Sequence, residues 1–226
     1  MSDRTASDLW VFGYGSLMWR PGFDYEEVVP ATLNGYRRCF CIYSVHHRGN
    51  AARPGLVLGL DRGGSCHGLA FRVSAPQARA TLAYLRAREQ VNGVYREASL
   101  SLDLGGGRTQ RGLAYLAERG HPSFTGPLSI SQQARVIRAA RGLSGTNLEY
   151  LANTLDHLAS LGIRERELER VMVHAGPLFM GREGEAGRSS RVAGLVKSLQ
   201  SHPVAAPRLR PGDRRRFLHR QLVKGG

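Results

Sequence analysis

Acidic residues, cysteines and long apolar runs are all scarce in this chain of 226 residues, and each shortage removes a class of protein. Three cysteines, Cys39, Cys41 and Cys66, are too few and of the wrong parity for a disulfide framework. Cys39 and Cys41 lie in the apolar stretch CFCIYSV. Strand alternation there puts both on one face, as small buried residues. No second C-x-C, C-x-x-C or H-x-x-x-H set accompanies them, so a zinc site lacks ligands. No segment reaches the roughly 20 apolar residues of a membrane span. The opening MSDRTASDLW lacks the apolar core of a secretion signal. The expectation is a soluble, cytoplasmic protein without a membrane partner.

Against 18 Asp and Glu stand 32 Lys and Arg, a formal net charge of +14. The excess is almost all arginine and culminates in Arg208, Arg210, Arg214, Arg215, Arg216 and Arg220. A polyanion such as nucleic acid would suit that charge. Yet the basic residues are not interleaved with stacking aromatics, and no nucleic-acid motif is present. A solvated, arginine-rich surface that attracts small anions is the better expectation, and nucleic acid is not expected as a partner. Apolar residues make up 42%, ordinary for a chain with a buried core.

The first half reads as strands. Leu9–Gly13 is short and apolar and ends in a Gly-x-Gly turn. Asn34-Gly35 predicts a turn before a strand over Arg37–Val45, followed by a loop to Gly55. Leu56–Leu60 and Cys66–Val73 read as a hairpin closed by Asp61–Gly64. Ala75-Pro76 opens a helix, with Ala78, Leu82 and Leu85 on one face, running to about Arg88. Val94–Leu104 and Thr109–Ala117 form a second hairpin across Gly105-Gly106-Gly107. The second half reads as helices. Ser129–Arg141 starts at a capping serine and stops at Gly142. Asn147–Leu161 carries Leu148, Leu151, Leu155 and Leu158 in register and ends at Gly162. Glu165–Met172 is the last. Strands first and helices last predict an α+β fold with an antiparallel or barrel-like sheet. Gly176–Gly226 reads as a basic, partly disordered tail with a short helix near Ser189–Leu199. The expected division is therefore a domain over 1–175 and a tail over 176–226.

Two places carry chemistry. At Gly13-Tyr14-Gly15-Ser16-Leu17, glycines bracket an aromatic where a strand ends. Successive N–H groups in such a turn can hold a carboxylate or an oxyanion. The same residues also suit an ordinary strand-terminating turn. Ser16 as a nucleophile would need a histidine base, which the sequence does not identify, and G-Y-G-S is not the G-x-S-x-G elbow. Gly15 is expected to let backbone approach a ligand, and to adopt dihedrals that other residues resist. The second place is Glu89, where a helix yields to the Asn92-Gly93 turn. A carboxylate there can point into a pocket, with its pKa raised by burial, as a general base requires. It can equally be a helix-end glutamate paired with Arg86 or Arg88. Glu97 is the next carboxylate along.

Taken together and in order, these segments resemble the ChaC family of γ-glutamylcyclotransferases. The run W-V-F-G-Y-G-S-L-M-W-R-P-G-F, Trp10 to Phe23, is similar to that family's opening. S-V-H-H-R-G, Ser44 to Gly49, resembles its S-x-x-H-R-G. P-G-L-V-L-G-L, Pro54 to Leu60, is similar to its bacterial members. Y-L-R-A-R-E-Q-V-N-G-V-Y resembles its helix-end R-E motif, and G-L-S-G-T-N-L-E-Y-L, Gly142 to Leu151, its S-G-x-N-x-E-Y-L. The resemblance spans roughly residues 9 to 175. Where animal members place Lys-Gly-Gly-Tyr after the R-E pair, this chain has Gln-Val-Asn-Gly-Val-Tyr, a longer form like that of the bacterial branch.

The resemblance implies a γ-glutamylcyclotransferase-like barrel, mixed or antiparallel, with flanking helices and a helical C-terminal part. It implies a glutathione-cleaving lyase that needs no metal and no redox cofactor. The α-amine of the γ-glutamyl group attacks its own γ-carbonyl, releasing 5-oxoproline and cysteinylglycine. In that reading Glu89 is catalytic. Tyr14, Gly15, Ser16, Leu17, Arg48 and Tyr95 bind substrate, although Arg48 could as well be a structural arginine in its loop. The rivals are a cyclotransferase for other γ-glutamyl amines or amino acids, and a basic nucleic-acid-binding protein on the same fold.

Overall fold

Five strands close on one another at the centre of the molecule. The computed structural model describes residues 7–90 and 92–176. The expectations for the tail, including the helix near Ser189–Leu199 and the terminal arginine cluster, lie outside the described residues. The strands are β1 (Leu9–Gly13), β2 (Glu27–Ser44), β3 (Gly55–Val73), β4 (Tyr95–Asp103) and β5 (Thr109–Ala117). They form a closed barrel in the order β1-β3-β2-β4-β5. Neighbours run antiparallel except β1 and β5, which meet in parallel at Val11 and Leu113 and close the ring. The fold is thus α+β with a mixed barrel. Four helices flank it: α1 (Ala75–Glu89), α2 (Ile130–Ala139), α3 (Asn147–Ser160) and α4 (Arg166–Ala175).

Two expected turns do not reverse the chain. Asn34-Gly35 lies inside β2, and Asp61–Gly64 lies inside β3. They sit opposite each other, where the pairing passes from Asn34 and Ser65 to Tyr36 and Arg62. One residue is skipped on β2 and two on β3, which is a bulge. Gly35, Gly63 and Gly64 have φ of 83°, 102° and 70°, the left-handed values a bulge and a turn both use. A strand of 19 residues would run roughly 60 Å if straight. The shared bend lets β2 and β3 wrap a small barrel instead.

The helices begin where their caps dictate. Ser129 and Gln132 form a reciprocal capping box on α2, as Thr146 and Glu149 do on α3. Gly142 does not end α2 directly. The helix stops at Ala139, and Arg141–Gly142 (β6) pairs with Gly145–Thr146 (β7) in a short hairpin outside the barrel. On α3 the predicted face is buried: Leu148, Leu151, Leu155 and Leu158 are at most 5% exposed. Each contributes about 1.5–3 kcal/mol by leaving water. They join Ile137 of α2 and Leu168, Val171 and Met172 of α4 in one core with Phe12, Phe40 and Phe71 of the barrel. Among the described residues no helix is long and apolar enough to cross a membrane.

Candidate active site

The mouth of the barrel brings together the end of β1, the end of α1, the start of β4 and the first turn of α3. After Gly13 the chain leaves β1 and winds into a 3₁₀ turn, Ser16–Met18, with Gly15 at its N-cap. Met18 N–H donates to the Gly15 carbonyl at 2.9 Å, and Arg20 N–H to that of Ser16 at 2.8 Å. Among the described residues, the N–H groups of Gly15, Ser16 and Leu17 meet no acceptor. Orphan donors are what the first turn of any helix offers, and what an oxyanion or carboxylate needs.

The Gly15 backbone has φ −136° and ψ −131°, which is not left-handed and lies outside both the broad β and the right-handed helical regions. A Cβ added at Gly15 would meet only Leu58 Cδ1, at 3.9 Å. The open space beside this backbone is what glycine preserves.

Two arginines hold the turn. Arg38 of β2 has a fully buried side chain. Its Nε donates to the Tyr14 carbonyl at 2.5 Å and its Nη2 to the His67 carbonyl at 2.6 Å, while Nη1 pairs closely with Glu165. Arg88, in the last turn of α1, donates from Nη2 to Ser16 Oγ at 2.9 Å and from Nη1 to the Arg20 carbonyl at 2.7 Å.

Glu89 is the final residue of α1, one step beyond Arg88. Its side chain is 17% exposed, and Oε1 lies 3.1 Å from Arg88 Nε. Burial pushes its carboxyl up from the usual carboxylate range, against the opposing pull of Arg88. Tyr14, which is buried, and Tyr95 and Tyr150, which are partly buried, each feel the Glu89 charge, which adds to the desolvation that already holds their hydroxyls protonated. Tyr150 is pushed up to about 12. Tyr95 donates from its hydroxyl to the Leu58 carbonyl at 2.7 Å, and Tyr150 makes a backbone hydrogen bond at the same residue. Leu58 therefore ties both tyrosines to β3, while its side chain is the group nearest the place a Cβ at Gly15 would take.

Arg48 arrives from the loop between β2 and β3. Its guanidinium lies over the Tyr150 ring, 5.1 Å from the centroid, and Nη1 donates to the Ser144 carbonyl at 2.6 Å. It thereby joins the loop to the β6–β7 hairpin, and burial lowers its pKa. Asn147 secures the same corner. Its Oδ1 accepts from Leu56 N–H at 2.6 Å, and its Nδ2 donates to the Leu56 carbonyl at 2.7 Å. Glu97 faces elsewhere. Both its oxygens accept from Arg86, at 2.8 and 3.0 Å, and this pairing holds its carboxyl below the usual range.

Glu89 and the residues Tyr14, Gly15, Ser16, Leu17 and Tyr95 thus gather around one mouth, with Arg48 linked to it through Tyr150. Sequence reasoning missed Tyr150, Arg38 and Arg88 as members of this assembly. Tyr150 stood in the S-G-x-N-x-E-Y-L segment, which was the available signal. Among the described residues no three His, Cys, Asp or Glu side chains gather where they could hold a metal ion.

Comparison with known proteins adds kinship to geometry. Residues 9–175 match the family model described as ChaC-like protein. The glutathione-specific gamma-glutamylcyclotransferase of Escherichia coli K12 is 35% identical over 171 residues, which cover 76% of this chain and 74% of that protein. The human glutathione-specific gamma-glutamylcyclotransferase 1 is 37% identical over 165 residues, covering 71% and 74%. The crystal structure of a gamma-glutamyl cyclotransferase specific to glutathione from yeast superposes with a TM-score of 0.69 at 24% identity, over 76% of this chain and 99% of that one. That superposition speaks to the fold.

Proposed function

The chain belongs to the family of ChaC-like proteins, and from that premise we propose that it is a γ-glutamylcyclotransferase that degrades glutathione to 5-oxoproline and cysteinylglycine. The observation that carries the site assignment is Glu89: a carboxyl raised by burial, ringed by tyrosines, beside a turn with free N–H groups.

The reaction needs few groups. The substrate's α-ammonium must lose a proton, its nitrogen must reach the γ-carbonyl carbon, and the departing amine must gain a proton. Glu89 takes the proton from the ammonium. The free amine closes a five-membered ring and the γ-carbonyl becomes an oxyanion. The N–H groups of Gly15, Ser16 and Leu17 receive that charge, or the substrate's α-carboxylate. The ring nitrogen sheds its remaining extra proton to solvent, the tetrahedral centre collapses, the C–N bond to cysteinylglycine breaks, and Glu89 returns its proton to the leaving nitrogen. A raised carboxyl pKa suits a group that must both accept and donate near neutrality. Ring closure is already unimolecular, so the enzyme's task is to hold the folded conformer of the glutamyl group. Tyr14 and Tyr95 wall that space, and Arg48 contributes a cation for the substrate's carboxylates. The net charge of +14 assists the approach of an anionic tripeptide.

The test is direct. Purified protein with glutathione should release 5-oxoproline and cysteinylglycine in equal amounts by mass spectrometry. Release from γ-glutamyl amines or free γ-glutamyl amino acids, with glutathione untouched, would move the substrate to those relatives' class.

A further inference from the structure

Arg88 joins two halves of the site that lie more than seventy positions apart in sequence (Ser16 and Glu89). From the last turn of α1 it reaches back to the segment that follows β1. Nη2 donates to Ser16 Oγ at 2.9 Å, and Nη1 to the Arg20 carbonyl at 2.7 Å, the Pro21 carbonyl at 3.2 Å and the Tyr84 hydroxyl at 3.0 Å. The remaining nitrogen, Nε, lies 3.1 Å from Glu89 Oε1. The planar fork of a guanidinium can serve all these directions at once, whereas a lysine ammonium is a single point. The docking is tight on the other side too. A Cβ added at Gly22 would fall 2.0 Å from the Tyr84 hydroxyl, so this segment lies directly on α1.

Resting on the cyclotransferase reading, we propose that Arg88 is a positioning residue for the reaction: it locks the Ser16 turn to the end of α1, so that the turn's N–H groups and the Glu89 carboxylate face one substrate. Glu89 supplies the base and the turn supplies the donors, and Arg88 sets the distance between them. Among the described residues it also supplies the one guanidinium in direct contact with the Glu89 carboxylate. The other groups that feel this carboxylate are the hydroxyls of Tyr14, Tyr95, Tyr115 and Tyr150. Removing Arg88 leaves burial alone acting on the Glu89 carboxyl, and burial opposes its ionisation.

The experiment combines kinetics with a titration that does not depend on turnover. The protein is labelled with ¹³C at the glutamate carboxyl, with Glu89→Gln identifying the resonance. Wild type, Arg88→Met, Arg88→Lys and the control Arg86→Gln are titrated and assayed for 5-oxoproline. In Arg88→Met, kcat should fall by about 10², the cost of a displacement of order 1 Å in a positioned site. The Glu89 midpoint and the acidic limb of kcat/KM should both move to higher pH, because the base ionises less readily without its cation. Arg88→Lys should keep the midpoint near wild type and still lose kcat. Arg86→Gln removes an equal charge one turn-position away and should leave the midpoint in place. An Arg88→Met protein with wild-type kcat and midpoint overturns the proposal. If that variant fails to fold, a wild-type kcat in Arg88→Lys overturns it. A wild type that releases no 5-oxoproline sinks the cyclotransferase reading instead, while an upward Glu89 midpoint in Arg88→Met would still uphold the contact.

Discussion

Glu89 and Glu97 both meet an arginine from the last turn of α1, and their carboxyl groups move in opposite directions. Glu97 accepts two nearly parallel bonds from Arg86 at the barrel surface and is held below the usual range. Glu89 meets Arg88 through one oxygen, inside the mouth, and is held above it. The side chains differ little in exposure, 17% and 22%. The difference lies in what surrounds them. Around Glu89 stand tyrosines, among them Tyr95 with its hydroxyl committed to the Leu58 carbonyl, and its arginine is shared among Ser16 and backbone carbonyls. A cation divided among many acceptors cannot offset the loss of water. A cation devoted to one carboxylate can. The same pair of residue types yields a raised carboxyl, the base we propose, in one place and a surface brace in the other.

The sharpest way to break that contrast is to remove the charge at Glu89. Glu89→Gln keeps shape and hydrogen bonding but cannot take a proton. Turnover of glutathione should fall by about 10²–10⁴ or more, with folding intact. At about 1.36 kcal/mol per tenfold, that is roughly 3–5 kcal/mol on the barrier. Near wild-type 5-oxoproline release from this variant would take Glu89 out of the mechanism.

Glu165 tests whether a raised carboxyl is itself a sign of catalysis. Its carboxyl is also pushed up by burial, against a pairing with Arg38. Here the partner is fully buried and anchors Tyr14. Glu165→Ala strands that guanidinium, a change that costs about 3–5 kcal/mol when both partners are buried. Glu165 is 20% exposed, so the low end, ~3 kcal/mol, is expected. That is about 6–12 °C in melting temperature for a domain of this size. A melting point within a degree of wild type would show that Arg38 needs no counter-charge.

The sequence carried the local part of all this. Helix starts were legible at Ser129, and Leu148 to Leu158 marked the face of α3, because caps and periodicity act within a few residues. The turn at Tyr14–Leu17 and the helix end at Glu89 were legible as places, since Gly13 and Gly15 bracket the one and the Asn92-Gly93 turn follows the other. Asn34-Gly35 misled because a left-handed glycine serves a turn and a bulge alike, and only the opposite strand decides. Arg38 and Glu165 are 127 positions apart, and nothing local distinguishes that arginine from the many on the surface. Arg88 read as a helix-end partner for Glu89, which it is. Its grip on Ser16 and Arg20 depends on how β1 enters the barrel. Tyr150 stood at helical spacing beside core leucines, and its contacts with Leu58, Arg48 and Phe40 join residues far apart in sequence.

The smallest expected effect is also the most discriminating, because it has a sign. Glu97 is held below its ordinary value of 4.5, so its contribution to stability is present above that pH and fades as pH falls. Glu97→Gln should therefore melt below wild type at pH 7, by about 0–1 kcal/mol, or at most a few degrees. That gap should close on acidification through the region below 4.5. Glu89 is raised, so its ionisation costs stability, and the cost grows as pH rises from 4.5 through the folded value. Glu89→Gln should melt with wild type at low pH and at or above it at pH 7. Turnover divides them again: Glu97→Gln should stay within a few-fold of wild type. Melting curves of the three proteins from about pH 3 to 8 decide the matter. Two variants displaced in the same direction across that range would show that Arg88 and Arg86 serve their glutamates alike, and the contrast between mouth and surface would be gone.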